Sequence, residues 1–164
     1  MKKWTLMAAM GLVMAGVLAG PQARAQLPEA QAQARDLGYW RTGDSMASTI
    51  TGDIEIRRSR VMIDYMVYSL APIRSLKPAE VSAVFGVVSQ PGISGMLYRL
   101  KVPATQRFQH KNTLCGYEET QWMATYARPK KLDVAFFSGS SMPVLTFEAM
   151  QGSQTRCGVF RYKR

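Results

Sequence analysis

The sequence predicts a mainly β fold, a small antiparallel β-barrel or sandwich of about seven or eight short strands with one α-helix near residues 78–88. Three observations predict it. Runs of β-branched and aromatic residues recur along the chain, separated by Gly, Pro, Asn and Ser turn signals. A single segment after Lys77 switches to helical spacing. Two cysteines, Cys115 and Cys157, each followed by glycine, bracket a group of strands that they can clamp together.

Residues 37–164 read as one β-rich domain, opening near Leu37-Gly38-Tyr39-Trp40. Ile50 to Ile56 alternates with period two. Ile50, Gly52, Ile54 and Ile56 fall on one face, Thr51, Asp53 and Glu55 on the other, as in a half-buried strand. Arg57-Arg58-Ser59-Arg60 is a polar turn. Val61 to Leu70 is apolar on both faces, interrupted by Asp64, and reads as one central strand. Pro78 suits the first turn of a helix, where its missing N–H costs nothing, and Val81, Val84, Phe85 and Val88 repeat on one helical face. Leu76 can staple onto Val81 across the helix start. Strands resume at Met96–Val102, then at 121–127, 132–137, 144–149 and 156–162, with turns at Lys111-Asn112, Pro129-Lys130-Lys131, Ser138–Ser141 and Gln151-Gly152-Ser153.

The N-terminus has the layout of a secretory signal peptide. Lys2-Lys3 precedes an uncharged apolar run from Trp4 to Leu18, and Ala23-Arg24-Ala25 is a small-x-small cleavage signal. The run is shorter than the roughly 20 residues a spanning helix needs, and no later segment is long and apolar enough to cross a bilayer. Residues 1–25 are therefore expected to be removed, and residues 26–36 to form an exposed leader. Cleavage lowers the formal charge from +10 to +7. A basic protein that is periplasmic or secreted favours anionic partners such as lipid headgroups, wall polymers or acidic proteins, not nucleic acid. Two cysteines in an exported chain point to one disulfide. A free thiol pair and a metal site are the alternatives, and the metal site lacks ligands because His110 is the only histidine.

Catalytic machinery is sparse. His110 lies in a polar segment, Gln109-His110-Lys111-Asn112, and no serine stands in a nucleophile-elbow frame. Glu118 and Glu119 are adjacent and would point to opposite faces of a strand. No phosphate-cradling glycine loop and no cofactor motif occurs, so no cofactor and no catalytic residue is assigned. Basic residues cluster three times, at Arg57, Arg58 and Arg60; at Arg128, Lys130 and Lys131; and at Arg161, Lys163 and Arg164.

Gly38-Tyr39-Trp40 resembles the Gly-x-Trp opening of lipocalin-type (calycin) barrels. That resemblance implies a late arginine stacked on Trp40, a role that falls on Arg161. The chain departs from it in placing its helix mid-chain, whereas lipocalins place theirs before the final strand. Ser48 to Ile54, Leu97-Tyr98-Arg99, Leu114-Cys115-Gly116, Phe137-Ser138-Gly139 and Cys157 to Tyr162 resemble a family of small exported proteins of Gram-negative bacteria. This second resemblance supports the compartment and the Cys115–Cys157 disulfide and transfers no site.

The expected function is that of a non-catalytic binding module holding an apolar small molecule or lipid fragment, with Trp40, Tyr65, Tyr98 and Trp122 as lining. The alternative is an interaction or inhibitor protein that docks an acidic envelope partner through a basic rim, and an unrecognised hydrolase is third. Carriage demands an interior cavity; partner docking demands a filled core and the three basic clusters on one side. Oligomeric state is not readable from the sequence.

Overall fold

The computed structural model describes residues 22–164, with side chains from Glu29 onward. The expected signal peptide lies outside the described residues, save for the backbone of its last four positions. Eight antiparallel strands form a meander in which each pairs with the next and the last closes on the first. They are β1 Gly38–Thr42, β2 Ile54–Arg57, β3 Arg60–Ile63, β4 Met66–Ser75, β5 Met96–Val102, β6 Thr120–Arg128, β7 Lys131–Ser138 and β8 Arg156–Lys163. Three helices accompany them, α1 Gln22–Asp36, α2 Pro78–Phe85 and α3 Phe147–Gln151. Of the barrel and the sandwich that the alternating runs predict, the chain forms the barrel.

Alternation gives every strand an inward row, and in the second half of the barrel the outward row is buried as well. Trp40, Ile54, Ile56, Val61, Ile63, Tyr98, Met123, Val134, Phe136 and Phe160 point inward and are almost completely buried. An eight-stranded barrel has an interior just wide enough for side chains to fill or for one small ligand, and here aromatic and branched side chains fill it. Phe136 and Phe160 meet edge to face at 5.3 Å between ring centroids. The outward residues of β5–β7, Leu97, Trp122, Ala124, Tyr126, Ala135 and Phe137, form a second core beneath α2 and α3, with the half-buried Val159 of β8 packed against it.

Helix α2 starts where Pro78 and the staple pair predict. Leu76 and Val81 are both buried in the second core, and Glu80 accepts from the Lys77 backbone N–H at 2.8 Å while holding Arg74 through two bonds of 2.7 and 2.8 Å. It ends at Phe85, not Val88, because Gly86 adopts the left-handed conformation (φ 67°) and closes the last turn.

The structure corrects four further expectations. The strand expected over 50–56 begins only at Ile54: Ala47–Thr51 curls into one π-helical turn, buries Ala47 and bonds Thr51 Oγ1 to Tyr162 Oη at 2.7 Å. Val61 to Leu70 is a hairpin of β3 and β4, not one strand, because Asp64 (φ 47°) and Tyr65 (φ 65°) form a turn with both residues left-handed. Residues 144–149 are not a strand. Thr146 caps α3 there by accepting from the Ala149 N–H at 3.3 Å. Finally, residues 26–36 belong to α1, and that segment buries Ala32 and Asp36 against the barrel instead of standing off as a leader.

Candidate functional site

In an antiparallel meander the connections alternate between the two ends of the barrel. The β2–β3 turn, the β4–β5 connection, the β6–β7 turn and the end of β8 therefore all come to the end where β1 begins. That topology gathers the three basic clusters at one end. The contacts there are direct: the Arg164 N–H donates to the Lys130 carbonyl at 3.2 Å, and Gln33 of α1 donates to the Arg58 carbonyl at 3.1 Å.

Some of these cations are neutralised locally. Arg57 pairs with Glu55 at 2.9 Å. Arg128 pairs with the buried Asp133 and lies over the Tyr126 ring, 5.3 Å from its centroid. Arg161 reaches Asp44 at 3.7 Å and Asp133 at 3.9 Å. Burial pushes the Asp133 carboxyl up despite the opposing pull of Arg128 and Arg161. Among the described residues no carboxylate pairs with Arg58, Arg60, Lys130, Lys131 or Lys163, and all five are exposed. Register then adds a row. Arg41 lies opposite Lys163, and Lys163 lies opposite Lys131, so three exposed cations stand side by side on β1, β8 and β7. Like charges placed opposite each other on neighbouring strands cost stability, and an anion laid along the row removes that cost.

The same end is closed by a clasp. The Arg164 guanidinium lies 3.9 Å from the Trp40 ring centroid and donates to the Leu37 carbonyl. Gly38 takes φ 120°, and a Cβ there would come within 3.0 Å of the Arg164 side chain, so the glycine of Gly-x-Trp makes room for the arginine. The stacked arginine is thus Arg164 and not Arg161, which points outward on β8 to its two carboxylates. Behind the clasp, Asp36 ends α1 inside the barrel mouth. Its carboxylate accepts from Tyr98 Oη and Thr125 Oγ1, each at 2.6 Å, and its carbonyl accepts from Trp40 Nε1 at 2.7 Å. Burial pushes this carboxyl up to about 7, although the Thr125 and Tyr98 hydrogen bonds and Arg164 pull it down.

The four expected lining residues do not converge. Trp40 and Tyr98 lie in the barrel interior, but as parts of the clasp and the Asp36 cluster. Trp122 faces outward, because Met123 and Thr125 take the inward positions of β6; it carries Arg99 over its ring at 4.4 Å and donates to the Gly139 carbonyl at 3.1 Å. Tyr65 is 88 % exposed at the tip of the β3–β4 turn. Comparison with known proteins finds no matching family model, no matching curated protein and no matching solved structure.

At the opposite end Cys115, in the β5–β6 connection, is joined to Cys157 at the start of β8, with Cα atoms 4.9 Å apart. Such a bond points to an oxidising compartment. His110 sits exposed in a 3₁₀ turn nearby, without a hydrogen-bonded carboxylate among the described residues. No helix of the described residues is long and apolar enough to cross a membrane. Sequence reasoning missed Arg41 and Asp36. Arg41 stands alone in the sequence and joins the basic row only through β1–β8 closure, whereas Asp36 ends a segment whose composition suggests a leader.

Proposed function

We propose that the protein is an exported, non-catalytic interaction module that docks an acidic envelope partner through the basic end of its barrel. The observation that carries this reading is the convergence of three basic clusters at one end, five of their cations lacking a carboxylate partner among the described residues. The filled interior and the signal-peptide layout support it too, and they fit a periplasmic or secreted protein.

A docking surface of this kind acts through summed potential and not through one tight pair. Each exposed ion pair contributes little, on the order of 1 kcal/mol or less, and five together steer an anionic partner and fade within a Debye length as salt rises. Polyglutamate is a suitable probe. Its binding is expected to fall steeply with salt and to be lost in a Lys130→Glu/Lys131→Glu/Lys163→Glu variant. A Lys101→Glu/Lys111→Glu variant at the other end should bind nearly as the parent does. Equal loss in both variants would show that net charge, not the basic end, does the binding.

An apolar cargo in the interior would have to displace Trp40, Phe136 and Phe160 from close packing. Native mass spectrometry of the protein purified from its own envelope is accordingly expected to give the bare chain, lighter by two hydrogens than the reduced form. A mass excess that vanishes on denaturation would reverse the choice in favour of carriage.

A further inference from the structure

The outer face of β1–β4 carries a second surface, ordered by register. Tyr39, Glu55, Met62 and Val67 lie opposite one another in a row across the four strands. Two residues further along the strands toward the basic end, Arg57 faces Arg60. Two residues the other way, just beyond the Ile54–Ile63 pair, come Asp53 and Asp64. The first of these rows holds Asp53 and Asp64 with Arg41 at its β1 end, the middle row is Tyr39, Met62 and Val67 around a Glu55 already paired with Arg57, and the last holds Arg57 and Arg60. Helices α2 and α3 lie over the strands that follow it, and α1 passes beside Pro72 and Ile73 of β4 and reaches the β2–β3 turn at Arg58. The face is left open, with Tyr39 at 52 % exposure and Val67 at 58 %.

The acidic row is concave. Asp53 and Asp64 line a cleft of about 230 Å³ together with Tyr39, Met62, Tyr65 and Gln109. Asp53 is already engaged, accepting from Tyr39 Oη at 2.5 Å and from the Thr42 N–H at 2.8 Å. Asp64 accepts no side-chain hydrogen bond and joins no ion pair among the described residues. Two tyrosine rings beside a carboxylate suit a guanidinium, which stacks on an aromatic face while donating to the carboxylate. Arg60, at the opposite edge of the same face, is exposed and likewise joins no ion pair among the described residues.

We propose that this face is the interface of a homodimer whose two-fold axis runs parallel to the rows. A rotation about that axis lays the Tyr39, Met62 and Val67 row of one copy on that of the other, each Glu55 keeping its own Arg57 as counter-ion, and sets Asp53 and Asp64 against the partner's arginine row. Arg60 of each copy then enters the Tyr39–Tyr65 cleft of the other and meets Asp64. An isologous contact needs such a self-complementary patch, and the order of the rows supplies it. The same rotation sends the two basic ends to opposite poles, which keeps two strongly cationic regions apart and, although it engages Arg60, leaves Arg58, Lys130, Lys131 and Lys163 of each open to partners. The inference does not depend on what those ends bind.

Sedimentation velocity over a concentration series, with the disulfide intact, tests it. The parent protein is expected to sediment as a dimer. Arg60→Glu and Asp64→Lys should each weaken self-association by about tenfold or more, because each turns both inter-row contacts repulsive. Mixed in equal amounts, those two variants should recover a heterodimer, since every acidic row then faces a basic one again. Val67→Glu, at an exposed position that leaves the barrel core untouched, should be monomeric and folded by circular dichroism. A parent protein that stays monomeric at every concentration would overturn the proposal, as would dimers unaffected by the single substitutions or a mixture that fails to associate.

Discussion

Replacing Cys115 and Cys157 together by serine is expected to lower the unfolding free energy by about 4 kcal/mol, the chain-entropy value for a bond between positions 42 apart. The bond ties the β5–β6 connection to the start of β8, so in its absence the unfolded chain regains the freedom of that whole segment. Serine is the suitable replacement, since both positions are only half-buried and Thr120 Oγ1 already donates to Cys115 Sγ at 3.1 Å, a partner a hydroxyl can keep. The native barrel should persist, because its closure rests on the β1–β8 ladder and on the Trp40–Arg164 clasp at the far end. Urea unfolding of the oxidised parent against the double variant measures the difference. The midpoint should fall and the slope should rise slightly as the unfolded chain expands. Against a domain stability of about 5–15 kcal/mol this is a large share. A loss below about 1 kcal/mol would mean that loop closure is not what the bond contributes.

How much of the fold is legible in the sequence depends on the range of the interaction that fixes each element. Strands β5, β6, β7 and β8 and helix α2 are readable because local pattern and tertiary demand agree there: Met96, Tyr98, Leu100 and Val102 alternate, and every inward position is buried. The β3–β4 hairpin is hidden because its turn places a tyrosine at φ 65°, where propensity expects glycine or asparagine. The π-helical turn is hidden because Ile50 continues the period of Ile54 and Ile56 although its backbone has already left the strand. For α3 a signal is present: Thr146 followed by Glu148 is a cap with an acid in the first turn, and Val144 and Leu145 outweigh it. The basic clusters are visible one by one. Their convergence follows from the parity of the meander, a property of the whole barrel and of no segment. The alternation of β8 does separate Arg161 from Arg164 as the partner of Trp40, since Phe160, Tyr162 and Arg164 share the inward side, and Gly38 at φ 120° leaves the space that Arg164 fills.

The pH dependence of stability should be dominated by Asp36. The carboxyl is 1 % exposed and held by two hydroxyls, and burial raises its folded pKa to about 7 from an ordinary value of 3.8. A raised acid binds its proton more tightly when folded, so its contribution is full below the unfolded value and is lost as pH rises through about 7. At about 1.4 kcal/mol for each pH unit between the unfolded and folded values, the scale is about 4 kcal/mol from the acidic to the alkaline limit. Asp36→Asn keeps an oxygen for Tyr98 and Thr125 and cannot ionise. It should match the parent near pH ~4 and exceed it near pH ~8, flattening the profile between them. Asp36→Ala leaves the Tyr98 hydroxyl without an acceptor and Thr125 Oγ1 with only the Met96 carbonyl at 3.4 Å, and should cost about 1–3 kcal/mol at acidic pH. Denaturant midpoints measured across that range decide between two opposing influences. Burial favours the neutral acid, whereas Arg164, fixed over Trp40 beside it, favours the anion. A parent profile as flat as that of the asparagine variant would mean that Arg164 wins, and Arg164→Gln should then restore the slope.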